Sequence, residues 1–113
     1  MNPRHRPCQP RTRLGQALGL LAAVLLFAGS SPASEAQFEE ANRLYETGRF
    51  PEAAALYQAA TTNGVSANLL FNLGNAHFKA GQLGQAMAAY QRSLRLDPRN
   101  PETRANLRFA REQ

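Results

Sequence analysis

Few side chains in this sequence of 113 residues could take part in catalysis, and their spacing argues against it. His77 is the only histidine after residue 33, and neither a cysteine nor a neighbouring acid completes a metal site around it, so a packed or helix-bridging role is expected. No serine or threonine has a plausible base and orienting acid, and Gly81 and Gly84 do not form a phosphate loop. Neither a catalytic site, a metal nor a cofactor is therefore expected. What recurs is a set of amides, aromatics and charges at one fixed offset: Phe38 and Phe71, Asn42 and Asn75, Tyr45 and Phe78, Glu46 and Lys79. An amide side chain donates and accepts at once and can grip a polypeptide backbone whatever its sequence. Aromatic neighbours would bury the apolar side chains of such a ligand. The chemistry on offer is binding.

The same offset runs through the residues that would position these groups. Gly48, Phe50, Ala53 and Tyr57 are echoed by Gly81, Leu83, Ala86 and Tyr90, and a period of roughly 33 residues marks a stacked helical repeat. Ser34 and Gln37 spell a capping box, and Phe38, Ala41, Leu44 and Tyr45 give the following helix one apolar stripe. Gly48 ends it. Pro51 suits the first turn of a second helix carrying Ala53, Leu56, Tyr57 and Ala60, which Asn63-Gly64 stops. The second unit repeats the plan: Ser66 as cap, an apolar helix through Leu69, Leu70, Leu73, Ala76, His77 and Phe78, then Gly81. Its partner helix holds Leu83, Ala86, Met87, Tyr90 and Leu94 and is stopped by Asp97-Pro98. A fifth helix opens at Asn100-Pro101-Glu102 and carries Ala105, Leu107 and Phe109 with Arg104, Arg108 and Arg111. Asn106-Leu107 stands one repeat length beyond Asn72-Leu73, so this helix opens a third unit and closes the stack. The fold class is all-α.

Residues 1–33 have the order of a secretory signal peptide: an arginine-rich start, an apolar run over 14–27 and then small residues. The run is short of the roughly 20 residues that span a bilayer, which favours cleavage, after Ala33 in preference to Ala36, over retention as an uncleaved anchor. Cys8 would leave with the leader. Arg4, Arg6, Arg11 and Arg13 carry most of the net charge of +5, and from residue 34 onward nine Lys or Arg face eight Asp or Glu. A nucleic-acid partner thereby loses its main support.

Asn72-Leu73-Gly74-Asn75-Ala76-His77-Phe78, followed by Gly81, Ala86, Tyr90 and Asp97-Pro98, resembles a tetratricopeptide repeat. The resemblance divides the chain into a degenerate unit over 34–66, a near-consensus unit over 67–100 and a closing helix over 101–113. It implies a right-handed superhelical stack of antiparallel helix pairs whose first helices line a concave groove. More narrowly, the leader, the segment Phe38 to Tyr45 and the second unit are similar to the BatE type of bacterial aerotolerance operons, companions of membrane proteins with von Willebrand factor A domains.

On that resemblance the groove comprises Phe38, Asn42, Tyr45, Glu46, Phe71, Asn75, Phe78 and Lys79, and it would hold a peptide segment of an envelope or membrane partner. The alternative use of the asparagines is to bond neighbouring helices, and that of Tyr45 and Phe78 is to join the core. Ala41, Gly48, Ala53, Tyr57, Gly74, Gly81, Ala86, Tyr90 and Pro98 are the structural positions of the repeat. Ala41 and Gly74 are equivalent and small because helices cross closely there. Residues 34–66 hold five acids and two bases, and 67–113 three acids and seven bases. The arginines from Arg92 to Arg108 are then a solvated face or a contact with anionic headgroups or an acidic partner. The expected location is the periplasm, or the inner membrane if the leader stays attached.

Overall fold

The computed structural model describes residues 32–113, and the expected leader with its cysteine lies outside them, except for the last two positions of the leader. Five α-helices follow one another: α1 (Pro32–Glu46), α2 (Phe50–Ala60), α3 (Ala67–Lys79), α4 (Leu83–Leu96) and α5 (Pro101–Arg111), with a 3-10 turn (Thr61–Asn63) after α2. There is no strand among the described residues, and no helix among them is long and apolar enough to cross a membrane.

Two matching turns set the spacing. After α1, Gly48 takes φ 81°, its N–H donates to the Tyr45 carbonyl and the Arg49 N–H to the Leu44 carbonyl. After α3, Gly81 takes φ 79°, with Gly81 bonding Phe78 and Gln82 bonding His77 in the same pattern. These are Schellman turns, and the left-handed backbone they need is why glycine stands at both places. Each turn folds the next helix back against the last, so α1 packs on α2 and α3 on α4, while α2–α3 and α4–α5 contacts join the pairs.

One apolar cluster joins α1, α2, α3 and α4 through Ala41, Ala53, Tyr57, Leu70, Leu73, Ala76 and Ala89, and a second joins α4 and α5 through Ala86, Tyr90, Leu107 and Ala110. Gly74 occupies the tightest crossing, where an added Cβ would lie 2.5 Å from Tyr90 Cε1. Ser66 caps α3 by accepting from the Leu69 N–H at 3.1 Å, and Asn100 caps α5 by accepting from the Thr103 N–H at 2.9 Å. Ser93 is buried in α4 because its Oγ donates to the Ala67 carbonyl at 2.8 Å.

Two local expectations change. Helix α1 begins at Pro32, which places Ser34 inside the helix, and Gln37 Oε1 is buried without a hydrogen-bond partner among the described residues, so the Ser34–Gln37 capping box is not formed among them. Helix α2 ends at Ala60, before Asn63-Gly64, because the chain tightens into the 3-10 turn. On α5 the buried stripe is Thr103, Leu107 and Ala110; Ala105 and Phe109 are exposed, since a spacing of two carries a residue off the buried side of a helix.

Candidate peptide-binding cleft

In each unit the second helix sends a tyrosine back to the first. Tyr57 Oη donates to Asn42 Oδ1 at 2.5 Å, and Tyr90 Oη donates to Asn75 Oδ1 at 2.6 Å. Both rings are almost fully buried, Tyr57 at 2% exposure and Tyr90 at 1%, and each meets the aromatic of the first helix's opening turns: Phe38 edge-on to Tyr57 at 5.7 Å, Phe71 tilted against Tyr90 at 6.2 Å. Burial pushes both phenols up to about 12; the charges of Tyr45 and Glu46 add to this for Tyr57, while the hydrogen bond from Asn106 opposes it for Tyr90. The neutral hydroxyls are therefore committed as donors across neutral pH. The asparagine carbonyls serve the fold.

Asn75 has a second partner. Asn106 of α5 donates its Nδ2 to the same Oδ1 at 2.9 Å, tying α3, α4 and α5 at one oxygen. Above this junction a cleft of about 260 Å³ is lined by Tyr45 of α1, Asn75, Phe78 and Lys79 of α3, Tyr90 of α4, and Asn106 and Phe109 of α5. All three first helices contribute to it. Phe78 and Phe109 form an aromatic wall with centroids 5.5 Å apart, and Phe109 remains 53% exposed. Tyr45 turns its ring edge-on to Phe50, 5.1 Å away.

Four of the eight expected groove residues, Tyr45, Asn75, Phe78 and Lys79, thus converge on one cleft. The other four do not line it. Phe38 and Phe71 pack on the buried tyrosines, Asn42 is bonded to Tyr57, and Glu46 is exposed near the end of α1. Phe38 instead borders a second cleft, of about 670 Å³, with Glu35, Glu39 and Val65. Asn106 and Phe109 were not foreseen as groove residues. Their signal in the sequence is a three-residue spacing on the closing helix, on the opposite side of Leu107 from Arg104, Arg108 and Arg111.

The arrangement of two like pairs and a fifth helix agrees with comparison to known families. A family model described as tetratricopeptide repeat matches residues 38–101, more than half of the chain. The chain belongs to the tetratricopeptide repeat family. Repeats of this family mediate contacts between proteins and form a non-catalytic fold. No curated protein matches the chain. The structural positions of the repeat are filled as helix crossings and turns: Ala41, Ala53 and Ala86 are fully buried, Gly48 and Gly81 make the Schellman turns, and Pro98 lies just past the end of α4. His77 bridges helices, its Nδ1 lying 2.6 Å from Oε1 of Gln82 at the start of α4. No group of acids, cysteines and histidines that could hold a metal exists among the described residues.

Proposed function

We propose that this tetratricopeptide repeat chain is an exported interaction module whose first helices form the concave side of a short right-handed superhelix and hold a peptide segment of an envelope or membrane partner. The observation that carries this reading is the cleft shared by α1, α3 and α5, where the half-exposed Phe109 stands against Phe78 beside two amide side chains. The aromatic wall suits an apolar side chain of the ligand. Because Asn75 Oδ1 is occupied by Tyr90 and Asn106, the polar grip on a peptide backbone falls to the amide nitrogens and to Lys79. Phe38, Asn42 and Phe71 support this groove indirectly, by holding the buried tyrosines, and Glu46 stays exposed outside the cleft.

Export rests on residues 1–33, whose arginines, apolar run and small residues have the order of a leader. The apolar run over 14–27 also supports a second reading, a membrane-tethered assembly subunit of the BatE kind beside a von Willebrand factor A domain protein. Mass spectrometry of the N-terminus separates the two: a start near Ser34 supports the free module, an intact N-terminus the tethered subunit. For the groove, recovery of envelope proteins on immobilised chain is compared with a Phe109→Ala, Lys79→Ala double variant. Both side chains are exposed, so the fold should survive. Loss of the same bound species supports the groove; equal recovery refutes it.

A further inference from the structure

The side of α5 turned away from the cleft is built unlike its counterparts. Within a complete unit the first helix meets the second along one stripe. On α3 this stripe is Leu70, Gly74 and His77: Leu70 is buried, Gly74 lies against the Tyr90 ring, and His77 reaches Gln82. On α1 the equivalent positions hold Gln37, Ala41 and Leu44. On α5 they hold Arg104, Arg108 and Arg111, all exposed. Arg108 stands where Ala41 and Gly74 allow two helices to approach, so a helix lying on α5 would meet a guanidinium and its stem where α4 meets a glycine on α3.

The slot is nevertheless partly apolar. Leu94 of α4 and the buried Leu107 of α5 help to line a space of about 640 Å³, and Arg99 adds a fourth guanidinium. No carboxylate is among its lining residues, and none of the four arginines has an ion pair among the described residues. One unit earlier, the corresponding seat is filled by a helix, α4, against α3. A surface with two leucines and four guanidiniums suits an occupant that is apolar on one stripe and acidic beside it. We infer that this slot docks an acidic amphipathic helix of a partner protein, at a site separate from the Phe78–Phe109 cleft. Guanidinium forks match carboxylates in geometry as well as charge, and the arginine stems can lie along the helix they clamp.

Fluorescence anisotropy on the full chain tests this, using as probe a labelled helical peptide of about 15 residues with leucines at three- and four-residue spacing flanked by glutamates. The expected result is saturable binding that added salt weakens and that Arg104→Glu with Arg108→Glu reduces by about tenfold or more. Phe109→Ala with Lys79→Ala, the groove variant, should leave it unchanged. If the double glutamate variant melts early, Arg104→Gln with Arg108→Gln takes its place. Four outcomes overturn the inference. They are equal binding of the same peptide scrambled out of helical register, no binding at all, arginine-dependent self-association of the chain that excludes the peptide, or stronger arginine-dependent binding to phosphatidylglycerol vesicles than to the peptide.

Discussion

In both complete helix pairs a buried tyrosine reaches back to an asparagine carbonyl on the preceding helix, Tyr57 to Asn42 in α1–α2 and Tyr90 to Asn75 in α3–α4. The aromatic contact beneath, the Schellman turn and the small residue at the crossing recur with it. The differences lie at the edges. Ala41 fits its crossing with a Cβ, whereas Gly74 has no room for one. Asn75 takes a second donor from α5, and Asn42 has only Tyr57 among the described residues. Phe78 stacks on the next unit's Phe109, while Tyr45 stacks on Phe50 of its own unit. What recurs is demanded by folding one helix back on another. What differs at Asn75 and Phe78 follows from their contacts with α5.

Alkaline titration strains the shared part and should have the largest effect, since it reaches both pairs. An unfolded tyrosine ionises near 10, and burial holds Tyr57 and Tyr90 protonated to about 12. The folded chain therefore binds more protons than the unfolded chain in that interval. The stability these two rings contribute is complete below about pH 10 and is lost as the pH rises toward 12. Circular dichroism melts combined with phenolate absorbance should show both rings ionising only as the helices are lost. A ring that ionises near 10 while the helices persist would mean its pair is the looser one.

Next in size is the crossing itself. Gly74→Ala drives a methyl to 2.5 Å from a tyrosine ring that is 1% exposed and cannot swing away, and it should cost about 1–3 kcal/mol. Ala41→Gly in the first pair should cost about 1–2 kcal/mol, through helix propensity and the loss of a fully buried methyl. Urea denaturation of the two variants decides; equal losses would show that the crossings are equally tight.

How much of this was legible in the sequence varied with the range of the interaction. Gly48, Gly81, Ser66 and Asn100 act within a few residues of themselves, and their turns and caps appear where local rules put them. The echo between units marked Tyr57 and Tyr90 as equivalent, yet it could not say that their hydroxyls would take the asparagine carbonyls, which depends on how two helices sit side by side. The Ser34–Gln37 box failed because α1 runs back to Pro32, so a local motif lost to continuation of the helix. Asn106 and Phe109 were hidden for a third reason: their role exists only where α5 meets α3, two elements far apart along the chain.

A smaller effect, and one of opposite sign, is expected at Gln37. Its Oε1 is buried without a partner among the described residues, and the equivalent position of the second pair holds Leu70, 1% exposed in the core. Gln37→Leu removes an unsatisfied acceptor and makes the first pair resemble the second, so it should stabilise by about 1 kcal/mol. A thermal melt that falls would show that the flank of α1 needs its polar group, and that the two pairs differ there by requirement.

The finest distinction concerns the asparagines. Tyr90→Phe removes one of two donors from Asn75 Oδ1, leaving the Asn106 amide in place at 2.9 Å. Tyr57→Phe takes from the Asn42 carbonyl its one donor among the described residues, in a half-buried position. The oxygen keeps a partner in one case and must find water in the other, so Tyr57→Phe should be the costlier change by about 0.5 kcal/mol. Paired urea titrations with Asn106→Ala close the comparison. With Asn106 removed, Tyr90→Phe should cost as much as Tyr57→Phe does. If the gap between the two tyrosines persists without Asn106, α5 is not what makes the second pair more tolerant.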